Sequence, residues 1–348
     1  MADLPWNYSL QNFKSLTRKE RKEILVSLGE KSFREKQVFE WINKGASSFD
    51  EMTNLSIELR EKLKADFTFE SLSVEKVQTS VDGTKKYLLK APDGNYIESV
   101  FMKYEYGNSI CVSTQVGCNM GCVFCASGIG GKIRNLKAWE ILDEFLVVQK
   151  DAGQPINHIV LMGMGEPFDN YEEVKEFISL IHDKDGINLS LRNITVSTCG
   201  VIPGIERFAK DFPQANLAIS LHRATQEERE KLMPISKKYQ LPELIKAVKE
   251  YQAVTGNRVT FEYALIDGEN DRTEDAKKLK SLLSGIGSHI NLIPLNKVEE
   301  SGLKGSSKER ALIFSKELEK LGISSTIRRS LGPDIDAACG QLRKNYTC

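Results

Sequence analysis

Apolar positions recur at helical spacing through roughly the first 70 residues and at strand spacing after that. Three helical segments are predicted. Residues 18–28 follow Leu16-Thr17 and stop at Gly29; residues 33–43 carry Val38, Phe39, Trp41 and Ile42 on one face, with Ser32 as N-cap; residues 56–65 form the third. From about residue 75, segments 86–90 and 96–103 flank Asp93-Gly94, a hairpin signal. Strand and helix patterns then alternate. Strands are expected at 109–114, 158–162, 193–198, 216–221, 259–264, 290–294 and 325–328, with helices between them such as 138–150, 171–183, 241–251 and 308–321. Repeated strand–helix units predict an α/β fold with a parallel sheet, open or closed into a barrel. Functional groups should then sit at the C-terminal ends of its strands. No internal repeat or low-complexity segment interrupts the pattern.

A chain of 348 residues accommodates one large α/β domain and a small one. Its 48 basic and 48 acidic residues balance, so a nucleic-acid partner would be held by local patches and shape rather than by a global field. Seven cysteines, three of them close together, argue against a secreted disulfide framework and fit a reducing cytosol. The start, Met-Ala-Asp-Leu-Pro-Trp, lacks the basic and apolar parts of a signal peptide. No apolar run reaches the ~18 residues of a membrane span.

The close cysteines are Cys118, Cys122 and Cys125, at C-x3-C-x2-C spacing. Iron–sulfur clusters normally take four thiolates. Three leave one iron of a [4Fe–4S] cluster open to a substrate. Zinc favours paired C-x2-4-C units with four ligands, and no second pair is present. The spacing resembles that of radical S-adenosylmethionine (SAM) enzymes. Polar groups suited to SAM fall at strand ends: Gly163 and Gly165, which allow close backbone approach, Glu166, Ser197, Ser220 and Asn296. Taken alone, the glycine run also reads as a plain turn, His222 as a structural histidine, and Cys111 as a small buried apolar residue.

Longer segments carry a closer resemblance: Cys111-Val-Ser-Thr-Gln-Val-Gly-Cys118, Arg134-Asn-Leu136, Gly163-Met-Gly-Glu-Pro167, Ser197-Thr198, Ser220-Leu-His222, Met233-Pro-Ile235, Asn291-Leu-Ile-Pro294 and Asp334-Ile-Asp-Ala-Ala-Cys-Gly-Gln-Leu342. With the helical Phe33-Arg-Glu-Lys-Gln-Val-Phe-Glu-Trp41, they resemble the RlmN/Cfr family of radical-SAM RNA adenine methyltransferases. The resemblance implies a partial (β/α)6 TIM-like barrel over residues 106–348, a hairpin linker at 76–105 and a helical, RNA-binding accessory domain at 1–75.

It also implies roles. Cys118, Cys122 and Cys125 would hold the [4Fe–4S] cluster. Gly165, Glu166, Ser197, Ser220, Leu221, His222 and Asn296 would bind SAM. C2 of adenine lies between two ring nitrogens and is too electron-poor to attack a methyl group. In the family's route Cys339 takes a methyl from one SAM. A 5′-deoxyadenosyl radical from a second SAM removes a hydrogen from that methyl, and the carbon radical joins the ring. Glu98 takes the ring proton, and Cys111 releases the product by forming a disulfide with Cys339, which a reductant must reopen. Cys199 and Cys348 match no functional position. The substrates implied are adenine 2503 of 23S rRNA and adenine 37 of tRNA. A flavodoxin- or ferredoxin-like electron donor, a cytoplasmic location and a monomer are expected. Phosphate contacts are expected from Lys14, Arg18, Lys19, Arg21 and Lys22, from Lys132 and Arg134, from Arg328 and Arg329, and from Arg343 and Lys344. Ala126-Ser127-Gly128 departs from the Ser-Thr of many C2 enzymes toward the Ala-Thr-Gly of the C8 type, so C8 methylation is the alternative. A radical-SAM activase would not require the Cys111/Cys339 pair, and a non-catalytic RNA-binding protein would not require the cluster thiols.

Overall fold

The computed structural model describes residues 10–296 and 298–343; Lys344 and Cys348 lie outside the described residues. The chain opens with β1 (Gln11–Asn12) and three helices, α1 (Arg18–Ser27), α2 (Arg34–Asn43) and α3 (Ile57–Asp66), before β2 (Phe67–Thr68) returns to pair with β1 in parallel. Thr17 and Glu20 form a reciprocal capping box at the start of α1, and the Ser56 hydroxyl accepts from Leu59 N–H at the start of α3. Ser32 does not cap α2. It lies inside a tight turn closed by Arg34 N–H to Lys31 O at 3.0 Å, and Phe33 takes the cap position without a side-chain bond. Phe13, Leu25, Phe39 and Leu63 join the same contiguous core as the helices of the barrel.

A ten-stranded sheet follows. Strands β3 (Ser73–Thr79), β4 (Lys85–Lys90), β5 (Tyr96–Tyr104) and β6 (Gly107–Cys111) form an antiparallel meander, with Gly94 at φ 85° in the turn between β4 and β5. The loop after β6 carries the cysteine triplet and contains the short pair β7 (Gln115–Val116) and β8 (Arg134–Asn135). Then come α4 (Ala138–Ala152), β9 (His158–Leu161), α5 (Tyr171–His182), β10 (Ile194–Thr198), α6 (Ile202–Asp211), β11 (Asn216–Ser220), α7 (Gln226–Leu232), α8 (Leu241–Thr255), β12 (Val259–Leu265), α9 (Thr273–Leu282), β13 (Ser288–Pro294), α10 (Lys308–Lys320) and β14 (Ser325–Ile327).

The strand order is β14-β13-β12-β11-β10-β9-β6-β5-β4-β3. Strand β6 pairs parallel with β9, and every later neighbour up to β14 is also parallel. Six strand–helix units therefore run from β6 to α10, and β14 adds a parallel edge. The sheet keeps two ends rather than closing, which leaves a side opening in the barrel. All the parallel strands deliver their C-terminal ends to one rim, where the loop after β6 and the C-terminal segment 332–343 also lie.

Candidate active site

That rim encloses a cleft that opens to solvent and holds about 940 Å³ of space with its open mouth included. Cys118, Cys122 and Cys125 line it from the loop after β6, Gly163, Gly165 and Glu166 from the end of β9, Ser197 from β10, Ser220 and His222 from the end of β11, Asn296 from beyond β13, and Cys339 from the C-terminal segment. Three expected site residues are not on its wall. Leu221 alternates away from Ser220 and His222 into the core, fully buried, so only its backbone acts near the site. Glu98 and Cys111 lie behind the wall, on β5 and at the end of β6.

The glycines answer to the protein before any ligand. A Cβ on Gly163 would stand 2.6 Å from Val112 O, and one on Gly165, at φ 107°, 2.7 Å from Gln115 Cβ. They let the turn after β9 nest against residues 112–115, which lead into the cysteine loop. Glu166 is likewise committed: its carboxylate accepts from Phe168 N–H at 3.1 Å and Cys199 N–H at 2.8 Å, tying β9 to β10. Burial raises its carboxyl pKa, and those hydrogen bonds oppose the rise. His222 sits at φ 57°, and Asn270 accommodates this backbone by donating to the His222 and Ala264 carbonyls. Ala264 N–H donates to His222 Nδ1 at 3.0 Å. Burial, with Arg229 and Arg223 nearby, lowers the imidazole to about 3, so it is a neutral ring whose proton sits on Nε2, packed edge-on against Phe124.

The three clustered thiols share one apolar wall. Burial pushes Cys118 up to about 12 and raises Cys122 and Cys125, and the thiols of the triplet reinforce the rise in Cys118 and Cys122. Thiolates at such positions need a strongly positive partner. No group of three His, Cys, Asp or Glu among the described residues converges on a point for a single ion. A cubane takes one thiolate per iron and requires no such convergence. The donor set, three soft sulfurs lining one cleft, therefore fits a [4Fe–4S] cluster with one open iron.

Cys339 opens into this cleft. Its carbonyl accepts from Asn296 Nδ2 at 3.1 Å, so Asn296, expected at SAM, also anchors the Cys339 loop. The loop is held again by Ala126 N–H to Gly340 O at 2.7 Å and Ser127 Oγ to Leu342 O at 2.8 Å. Cys339 is exposed at the cleft, yet the protein packed around its thiol raises the pKa, with Arg328 opposing and Glu262 reinforcing. Cys111, raised to about 12, feels Cys339 as its next influence after burial. Burial works against the charged form of Arg328, but Glu262, 3.5 Å away, and then Cys339, Tyr104 and Cys111 hold its guanidinium above the ordinary value. Glu98 pairs with Lys86 Nζ at 3.1 Å and accepts from Arg343 N–H at 2.7 Å, which fastens the far side of the Cys339 segment to β5.

Comparison with known proteins agrees with this geometry. The Radical SAM superfamily model matches residues 112–279, and the model of the ribosomal RNA large subunit methyltransferase N-terminal domain matches 11–68. A probable dual-specificity RNA methyltransferase RlmN of Thermoanaerobacter sp. (strain X514) is 50% identical over 339 residues, 97% of this chain and 99% of its own. Its counterpart in Staphylococcus aureus (strain JH9) is 49% identical over 341 residues, 97% of this chain and 94% of its own. The chain belongs to the RlmN family. It is a radical SAM RNA methyltransferase. The crystal structure of a radical SAM methyltransferase from Sphaerobacter thermophilus superposes with a TM-score of 0.92 at 41% identity, covering 96% of this chain and 100% of that one.

Within this RlmN fold, several cations expected at phosphate are engaged elsewhere. Lys14 is buried and bonds both Asp143 oxygens, at 3.0 and 3.1 Å. Arg21 is buried on Glu35, and Arg18 bridges Glu35, Asp183 and Asp185. These three residues hold the N-terminal segment together and to α4 and the end of α5. Apolar periodicity does not separate such cations from solvated ones. Lys132 pairs with Asp169, Arg134 with Glu140 and Asp93, Arg343 with Glu300, and Arg328 with Glu262. Lys19, Lys22 and Arg329 remain exposed. Residues absent from the sequence reading also shape the RlmN site. Glu262 occupies an inward position of β12, recognisable only as the one charged residue of that strand. Cys199, expected to be idle, lines the cleft, and its backbone bonds Glu166 and Arg229.

Proposed function

We propose that this chain methylates C2 of an adenine in RNA, at adenine 2503 of 23S rRNA and adenine 37 of tRNA, through a methyl group carried on Cys339. The observation that supports this most is an exposed thiol, Cys339, opening on the cleft of the three-cysteine set, with Cys111 behind it. A cluster on Cys118, Cys122 and Cys125, with SAM on its open iron, would supply the methyl group and one-electron chemistry. The chain's residues supply the rest. Cys339 accepts the methyl as a thiolate, favoured by the guanidinium of Arg328. Asn296, Ala126 and Ser127 hold the Cys339 loop over the cleft. Glu98, paired with Lys86 behind the wall, takes the ring proton. Cys111, as a thiolate, attacks the Cys339 sulfur; the bond from that sulfur to the bridging carbon breaks, the carbon keeps the electron pair and takes a proton to become the methyl group, and the disulfide left behind is reduced by an external dithiol. An electron donor of flavodoxin or ferredoxin type and a cytoplasmic location belong to the same reading.

Replacing Cys111 tests it. Cys111→Ala should arrest turnover at the joined species, seen as a nuclease-sensitive mass increase on the protein. Free methylated RNA at normal yield from that variant would refute the role of Cys111. The Ala126-Ser127-Gly128 turn contacts the Cys339 loop, so it bears on where the carbon is delivered, and C8 remains the alternative outcome.

A further inference from the structure

Arg229, on α7, is fully buried, and its guanidinium is spent on neutral groups. Nε donates to Leu221 O at 3.2 Å, Nη1 to Ser236 Oγ at 2.6 Å, and Nη2 to Cys199 O at 2.6 Å and Ser220 O at 3.0 Å. No carboxylate among the described residues stands within ion-pair distance of it. A buried cation is costly and is ordinarily paired. The titratable groups that bear on it most are the thiols of Cys199 and Cys122, both held neutral by burial. The same helix grips the cysteine loop directly: Val123 N–H donates to Leu232 O at 3.0 Å, and Gly121 packs on Pro234.

We infer that Arg229 is a positioning residue whose uncompensated buried charge is matched to the net negative charge of a cluster held by Cys118, Cys122 and Cys125. The inference rests on the cluster reading above. Three thiolates on a [4Fe–4S]2+ core sum to one negative charge, and reduction adds another. A fixed cation therefore favours the reduced form. Its hydrogen bonds fix the ends of β10 and β11, where Ser197 and Ser220 face the cleft, in register with the cysteine loop.

The test is an EPR-monitored redox titration of the anaerobically reconstituted full chain, with iron content measured alongside. Arg229→Gln should lower the midpoint potential, shifting the reduced-to-oxidised ratio at fixed potential by about tenfold, which is 59 mV for a one-electron couple. Arg229→Lys, which keeps the charge but loses the fork of hydrogen bonds, should shift it by less than half as much. Ser236→Asp places a carboxylate against the intact guanidinium and should lower the potential in the same direction, whereas Ser236→Ala should not move it. Ser236→Asp carries the test if Arg229→Gln fails to fold. A reduced-to-oxidised ratio at fixed potential within twofold of the unmodified protein's in the charge-neutralising variants, or an equal shift in Arg229→Lys and Arg229→Gln, would overturn the inference. Absence of any cluster signal in the unmodified protein would instead overturn the cluster reading, and the inference with it.

Discussion

Lys14→Met should damage the fold and leave RNA recognition alone. The ammonium bonds both oxygens of Asp143 and Ser71 Oγ, and both ionic side chains are almost wholly buried. After truncation, Asp143 keeps only Leu72 N–H, at 3.1 Å, and the Ser71 hydroxyl within an apolar wall. Breaking one side of a buried ion pair costs about 3–5 kcal/mol. Burial already raises the Asp143 carboxyl, with Lys14 opposing, so removing Lys14 raises it further. A carboxyl raised in the folded state binds its proton there more readily than in the unfolded chain. The variant's stability is therefore retained below the unfolded value, about 3.9, and is lost as pH rises through the window up to the raised folded value. Urea unfolding at pH 7 and pH 5 should show a large loss that is partly recovered at the lower pH. Lys14→Met with Asp143→Leu should regain most of the loss, because an apolar pair of similar volume leaves no stranded charge. Fluorescence anisotropy on an rRNA hairpin, below the unfolding transition, should give an unchanged Kd. A loss under about 1 kcal/mol together with weakened RNA binding would refute the reasoning and restore Lys14 as a phosphate contact.

Gly163→Ala should cost about 1–3 kcal/mol, since its Cβ would meet the Val112 carbonyl and Ser113 Oγ at 2.6 and 2.8 Å; an unchanged urea midpoint would contradict this. His222 should stay neutral from pH 5 to 8, because its folded value is about 3. Its contribution to stability is full above the unfolded value, about 6.5, and is lost as pH falls from there toward 3; an NMR titration near 6.5 in the folded protein would refute that. Cys199→Ala should keep its full iron and sulfide content, since the backbone bonds of residue 199 to Glu166 and Arg229 survive and only the thiol's own bond to Glu166 is lost; a cluster-poor variant would make Cys199 a support of the cluster.

The periodic part of the fold was readable from the chain. Most predicted strand segments lie within a residue or two of the observed strands, and Asp93-Gly94 forms the turn between β4 and β5. Helices α6, α7 and α9 do not stand out in the apolar pattern. In α6 a Pro-Gly pair in the first turn resembles a loop signal, although proline is tolerated there. Strand β3 is exposed along most of its length and carries little apolar pattern. The cleft was readable because its chemistry is concentrated in short motifs at strand ends. Sequence could not separate wall from support. Gly163 and Gly165 serve packing against residues 112–115, and Leu221 faces the core. Charge pairing over long separations was also hidden: Lys14 finds Asp143 and Arg18 finds Asp183, partners that local spacing does not reveal.

The most direct test of the methyl-carrying cysteine is mass spectrometry of anaerobically reconstituted protein after turnover with methyl-deuterated SAM and an rRNA fragment. The account predicts label at adenine C2 with two of the three deuterium atoms retained, because one is removed while the carbon sits on Cys339, and no product from Cys339→Ala. Three retained deuterium atoms, or full turnover by Cys339→Ala, would contradict it, and label at C8 would keep the carrier while reversing the position of methylation.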